Sequence, residues 1–231
     1  MNTHRTRIKI CGLTREADVD ACMAAGVDAV GFVLYAPSPR AVSIERAAEL
    51  AKRLPPFVTP VLLFVNPNAS EVIAACEAVA GATLQFHGDE SPAFCTDMRQ
   101  RTGSPYLRAA RIPLGPEAQQ FDLVKYAHNY SDAQAILLDA HVQGYGGGGQ
   151  TFNWSLLPPN VNAHLVLSGG LDAANVTDGI AQLRPRGLSL AVDVSSGVEV
   201  LSDTGAPGTT LKGIKDATRI QQFVAAVRAA S

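Results

Sequence analysis

The sequence predicts an α/β chain folded as one (β/α)8 TIM barrel over residues 1–231, and three observations predict it. The chain has 231 residues, close to the ~250 typical of a single eight-fold barrel. Short β-branched or apolar runs recur every ~25 to 30 residues, separated by alanine-rich segments of helical spacing, the signature of repeated βα units and a parallel sheet. Late in the chain two such runs stop at glycine or Ser-Gly, at Leu165-Val-Leu-Ser-Gly-Gly-Leu171 and Leu190-Ala-Val-Asp-Val-Ser-Ser-Gly-Val-Glu199. Turns of that kind free backbone N–H groups to point at an anion. The loops after the seventh and eighth strands are where such a barrel usually seats a substrate phosphate.

The elements follow in order. Strands are predicted near 7–11, 28–35, 58–65, 82–87, 106–111, 135–139, 164–168 and 189–194, about the number at which a parallel sheet closes. Helices are predicted near 15–25, 43–54, 69–80, 91–102, 116–128, 172–183 and 213–230, with Thr14, Ser43, Ser70 and Asp172 as caps. The sixth crossover departs from this pattern, holding Gly144 to Gly149 and then only a short helical turn around Asn153–Leu157. So much glycine predicts a mobile active-site loop. The last helix carries Ile214, Ile220, Phe223, Val224 and Val227 on one apolar face, which would close the barrel.

Composition narrows the function classes. Hydrophobic residues are 47% of the chain and charged ones 17%, enough for a large core and against disorder. The formal net charge is -2 with basic residues scattered, so no footprint for nucleic acid or anionic membrane is visible. No apolar run approaches the ~18 residues of a bilayer span and no signal segment opens the chain, which predicts a cytoplasmic protein. The 4 cysteines lack metal-ligand or CxxC spacing, and reduced thiols are expected. Monomer and homodimer both fit the sequence.

Chemistry in such barrels sits at strand C-termini, and the polar strand endings here are Cys11, Arg40 beyond the second strand, His87, Asp139, Ser168 and Asp193. Period-two alternation puts Lys9 and Cys11 on the face opposite Ile8 and Ile10, and sets Asp139 with Leu137 and Ala135 toward the barrel interior. A thiol becomes a general base when neighbours lower its pKa, and a carboxylic acid in a dry mouth can hold a proton as general acid. That pair suits a proton-shuttling isomerisation. Cys11 could equally be a small buried hydrophobe, the reading given to Cys22, Cys76 and Cys95. It differs from them in abutting Gly12-Leu13-Thr14, where strand turns to helix.

Other residues keep two readings. Arg40, behind two prolines, could pair bidentately with a carboxylate or be an exposed loop arginine. His87 could orient substrate or satisfy the loop backbone, and Asp193 could cap the next turn or bind a ribose hydroxyl. Lys212 and Lys215 precede the last helix and carry little weight as lysines that are usually exposed. The glycines 146–149, Gly146 and Gly147 among them, resemble a phosphate loop without the lysine of a Walker sequence. Trp154 reads as a packing anchor.

Taken together, Lys9-Ile-Cys-Gly-Leu-Thr14, Ser38-Pro-Arg40, Gln85-Phe-His-Gly88, Leu138-Asp139, Gly149-Gln-Thr-Phe-Asn-Trp154, Ser168-Gly-Gly-Leu171, Asp193-Val-Ser-Ser-Gly-Val-Glu199 and Lys212-Gly-Ile-Lys-Asp216 resemble the phosphoribosylanthranilate isomerases of tryptophan biosynthesis over nearly the whole chain. The resemblance implies a cofactor-free, metal-free Amadori rearrangement of a small phosphoribosyl substrate. It implies Asp139 as general acid and Cys11 as general base, with Arg40 on the anthranilate carboxylate and His87 and Asp193 lining the substrate. Gly146, Gly147, Ser168, Gly169, Gly170, Ser195, Ser196 and Gly197 would hold the phosphate. Two departures stand out: Gly148 where the family commonly has Thr, and a long stretch, Asp203–Thr210, before the last helix, which could form a mobile flap. The alternatives are the related phosphosugar isomerase of histidine biosynthesis and a non-catalytic barrel that binds a phosphorylated metabolite. The first uses an aspartate pair, so Cys11 counts against it; the second needs no proton-transfer pair.

Overall fold

The computed structural model describes residues 5–140, 151–204 and 208–230. Eight parallel strands close into a barrel in chain order: β1 (Arg7–Cys11), β2 (Ala29–Val33), β3 (Thr59–Phe64), β4 (Thr83–Phe86), β5 (Tyr106–Ile112), β6 (Ala135–Ala140), β7 (His164–Leu167) and β8 (Ser189–Val194). Closure is direct, with β1 lying parallel to β8 and Lys9 in register with Asp193. All eight predicted strands are present within about two residues of their expected ends. No described helix is long and apolar enough to cross a membrane.

Alternation along the strands sorts the side chains into two cores, as the period of two requires. Ile8, Ile10, Phe32, Leu62, Phe64, Leu84, Phe86, Ile136 and Leu138 face outward and pack under the helices. Val61, Leu107, Ala109, Ala135, Leu137 and Val166 fill the barrel interior, and Cys11, Val33, Leu63 and Val65 form a smaller apolar group.

The outer helices are α1 (Glu16–Ala25), α2 (Ile44–Ala51), α3 (Ala69–Ala78), α4 (Pro92–Thr102), α5 (Leu123–Asn129), α6 (Val176–Leu183) and α7 (Ala217–Ala229). Ser43 caps α2 as expected, accepting from the Arg46 amide. The other three expected caps move. Thr14 donates its hydroxyl to the Gly213 carbonyl instead. Asn68 and Glu71 form a reciprocal capping box on α3, with Ser70 bonded to the Asn68 side chain. Asp172 closes a local turn on the amides of Ala174 and Asn175, so α6 starts only at Val176. The helix expected over 116–128 is divided into a 3-10 segment, Gly115–Gln120, and α5, because Asp122 caps a fresh helix through the Lys125 amide.

The largest departure follows β8. Residues expected to begin the last helix form an antiparallel ribbon, β9 (Glu199–Leu201) with β10 (Thr210–Lys215), so Ile214 belongs to a strand and not to the helix face. Gly213 sits at φ 83°, outside helical backbone, and α7 starts beyond it, capped by Asp216 on the amides of Thr218 and Arg219. Ile220, Phe223, Val224 and Val227 are buried as expected. The long Asp203–Thr210 stretch joins the two ribbon strands, with residues 205–207 outside the described residues.

Candidate active site

Cys11 and Asp139 both face the barrel interior, at the C-terminal ends of β1 and β6, and both are buried. Each is pressed against a glycine. A Cβ on Gly31 would lie 2.7 Å from Cys11 Sγ and 3.0 Å from Lys9 Nζ, and a Cβ on Gly169 would lie 2.7 Å from Asp139 Oδ1. Real Cβ atoms do not come so close, so these two positions need hydrogen as a side chain to admit the thiol and the carboxyl. Gly169 also has φ 82°, which glycine adopts without cost.

The surroundings of Cys11 correct one expectation. Burial pushes its thiol up, and this outweighs the neighbouring Lys9 ammonium, which pulls it down through charge and a hydrogen bond. Lys9 is itself buried; desolvation works against its charge, but the Asp193 carboxylate and the Cys11 sulfur together outweigh that and hold the ammonium. Lys9 Nζ lies 2.9 Å from Asp193 Oδ1, and Ser168 Oγ donates to Asp193 Oδ2 at 3.3 Å. Both carboxylate oxygens of Asp193 are thus engaged by side chains inside the barrel.

His87 does not serve its loop backbone. Its Nε2 lies 2.9 Å from Asp139 Oδ2 and its Nδ1 lies 3.1 Å from Gln85 Nε2, all three side chains buried. The loop that carries it is clamped from the outer side. Glu90 accepts from the amides of Asn66 and Gly88, and Arg108 binds Glu90 and the carbonyls of Phe86 and Gly88 while stacking 4.9 Å from the Tyr130 ring centroid.

Arg40 is buried and already paired. Its Nε and Nη2 donate to the two carboxylate oxygens of Glu199 at 2.6 and 2.9 Å. Its chain crosses the turn after Cys11, where a Gly12 Cβ would meet Arg40 Cδ at 2.6 Å. Glu199 also accepts from Lys215 Nζ, Thr210 Oγ1 and the Gly213 amide; against the cost of burial, Arg40 first, then Lys215 and the Gly213 amide, hold its carboxyl down at about 2. Lys215, expected to be an exposed lysine of small weight, is buried, and it binds the Ser195 carbonyl as well.

The two glycine turns meet as expected. A Cβ on Gly197 would fall 1.9 Å from the Leu171 carbonyl oxygen, so this glycine is what lets the turn after β8 dock against the turn after β7. The amides of Gly169, Gly170, Ser196 and Gly197 take no hydrogen bond among the described residues. Two of the three serines of these turns bond inside the protein: Ser168 donates its amide to the Leu138 carbonyl and its hydroxyl to Asp193, and Ser195 donates its hydroxyl to the Cys11 carbonyl. Gly146, Gly147 and the rest of the sixth-crossover loop through Gln150 lie outside the described residues. Trp154 is buried in the outer core against Gly179, the anchor expected of it.

Sequence reasoning missed Gln85, Glu199 and Lys215 as parts of this site. Gln85 is two residues before His87 and so on the same strand face, a signal that alternation offered. The Arg40–Glu199 pair joins residues 159 apart, and no local pattern announces it.

Residues 8–226 match the family described as N-(5'-phosphoribosyl)anthranilate (PRA) isomerase. A relative named N-(5'-phosphoribosyl)anthranilate isomerase from Methylibium petroleiphilum is 60% identical over 226 residues, covering 98% of this chain and 95% of its own length. The crystal structure of phosphoribosyl anthranilate isomerase from Thermotoga maritima superposes with a TM-score of 0.79 at 36% identity, covering 97% of this chain and 99% of that one. Another structure, of phosphoribosyl anthranilate isomerase in complex with reduced 1-(o-carboxyphenylamino)-1-deoxyribulose 5-phosphate, gives 0.73 at 32% identity, with 97% and 99% covered. A shared fold alone would leave the chemistry open, but a match at this identity over both full chains does not: the chain belongs to the N-(5'-phosphoribosyl)anthranilate isomerase family.

Proposed function

We propose that this chain isomerises N-(5-phosphoribosyl)anthranilate to 1-(2-carboxyphenylamino)-1-deoxyribulose 5-phosphate in tryptophan biosynthesis, with Asp139 as general acid and Cys11 as general base. The observation that carries the assignment is the placement of one thiol and one carboxyl inside the mouth, on β1 and β6, beside two joined glycine turns with unbonded amides. Asp139 gives its proton to the ribose ring oxygen as the C1–O bond breaks, leaving an iminium between C1 and the anthranilate nitrogen. Cys11 as thiolate takes the C2 proton, whose electrons move to form an enolamine, and the enolamine tautomerises to the ketone. The iminium acidifies the C2–H bond, so a thiolate suffices as base.

The amides of Gly169, Gly170, Ser196 and Gly197 would receive the phosphate, as free N–H groups at turns do. Arg40 has Nη1, unbonded among the described residues, to meet the anthranilate carboxylate while Glu199 holds its other two nitrogens. Lys9 serves the base: its ammonium, anchored by Asp193, favours the thiolate of Cys11. His87 holds Asp139 through Oδ2, 2.9 Å from its Nε2. The catalytically silent barrel has no use for this second pair of groups.

The test follows the fluorescence of phosphoribosylanthranilate made in situ from anthranilate and phosphoribosyl pyrophosphate. Wild type should accelerate its disappearance into the ribulose product, while Cys11→Ala and Asp139→Asn should each lose about 100-fold or more in kcat. A well-folded wild type without effect would move the assignment to another phosphosugar or to binding alone.

A further inference from the structure

Gln85 takes no part in the steps above, yet it is fully buried on the inward face of β4, in register with Leu63 and Leu107 of the neighbouring strands. Its Nε2 is 3.1 Å from His87 Nδ1, and its Oε1 is buried without a hydrogen-bond partner among the described residues. An amide nitrogen can only donate, so Nδ1 must offer a lone pair, and the single proton of a neutral imidazole then sits on Nε2. Turning the amide over would give Oε1 a partner but strand both N–H groups of the amide, where the orientation found strands one N–H and the oxygen. Orphaned donors are the rarer and costlier defect.

We propose that Gln85 is a positioning residue that fixes the tautomer of His87 and thereby decides which oxygen of Asp139 carries the acid proton. With the proton on Nε2, His87 donates to Asp139 Oδ2 at 2.9 Å, and the carboxyl proton is left to Oδ1. Oδ1 is the oxygen that lies against Gly169, at the turn that receives the phosphate. With the opposite tautomer the Asp139 proton would bond to Nε2 from Oδ2 and be withheld from the ring oxygen. Among the described residues, Asp139 is the only titratable side chain bonded to His87, so the amide of Gln85 sets the choice unopposed. The inference rests on the reading of Asp139 as general acid.

Two-bond 1H–15N correlations of the histidine rings, with the His87 signals assigned by their loss in His87→Asn, read the tautomer in wild type without any need for activity. The expected result is a neutral ring protonated at Nε2. In Gln85→Glu, whose carboxylate can only accept, the ring should gain a proton at Nδ1, and kcat should fall about 100-fold with KM changed less than about threefold. Gln85→Leu, which removes the bias without adding charge, should give a mixture of tautomers and an intermediate kcat. A wild-type ring protonated at Nδ1, or a Gln85→Glu enzyme with the wild-type tautomer and kcat, would overturn the inference. Asp139→Asn with undiminished kcat would instead overturn the acid assignment beneath it, leaving the tautomer as a measured fact.

Discussion

At the scale of the residue, the thiol of Cys11 is balanced between two forces of opposite sign. Burial raises its pKa, and Lys9 is the strongest influence lowering it. Because the net shift is upward, the thiolate fraction at neutral pH is small and rises with pH, about tenfold per unit until the group titrates. The rate of the C2 proton transfer should climb along the same limb. Lys9→Met removes the lowering influence, so the limb should move to higher pH and the rate at pH 7 should drop about tenfold for each unit moved. The ultraviolet absorbance of the thiolate, titrated in both proteins, checks the shift apart from turnover; a limb that stays put would sever Lys9 from the base. Much of this pair was legible in the sequence, since alternation alone put Lys9 and Cys11 on one face. What alternation could not supply was the sign of the shift, because depth of burial depends on seven other strands. Gln85 was hidden for a related reason: a glutamine gains a role only from the imidazole it meets.

At the scale of the element, the β9–β10 ribbon is organised by one carboxylate. Glu199 gathers Arg40, Lys215, Thr210 and the Gly213 amide, and so ties the ribbon to the loop after β2. Its carboxyl is held at about 2 when folded, below the ordinary glutamate value of about 4.3. A depressed folded pKa stabilises at pH above the unfolded value and loses that contribution as pH falls through the folded one. Stability should therefore decline between about pH 4.5 and 2 in wild type, and this part of the decline should vanish in Glu199→Gln, followed by urea denaturation across that range. At neutral pH the same substitution strands two buried cations and should cost about 3–5 kcal/mol. It should also raise KM more than it lowers kcat, since Arg40 loses its support while Cys11 and Asp139 keep theirs. A variant with wild-type KM would show that Arg40 needs no such hold. The ribbon is where sequence reading failed at this scale. The apolar spacing of α7 continues backwards through Ile214 in the sequence, although Gly213 takes backbone that no right-handed helix allows. The eight barrel strands, by contrast, were legible throughout, because a buried parallel strand is a short apolar run whatever its neighbours do.

At the scale of the whole molecule, the barrel is closed by the seam between its first and last strands, and a charged pair stands in that seam. Lys9 and Asp193 are 184 residues apart in the chain, in register across β1 and β8, and 2.9 Å apart in space. The other strand neighbours in the barrel are consecutive in sequence, so their loops are shorter and each closes at roughly 1–2 kcal/mol less entropic cost than the seam. Contacts of the highest sequence separation reward the chain only after the intervening strands are in place, which places the seam late in folding. Asp193→Ala leaves Lys9 as a buried cation with no carboxylate, a loss of about 3–5 kcal/mol. For a domain of this size that corresponds to a fall in Tm of roughly 6–20 °C. If the seam forms after the transition state, nearly all of that loss belongs in a faster unfolding rate, with the folding rate almost unchanged. Stopped-flow folding and unfolding in urea, on wild type and Asp193→Ala, separates the two arms. A folding rate reduced in proportion to the lost stability would mean that β1 and β8 pair before the barrel wall between them is complete, and the order of assembly would have to be reversed.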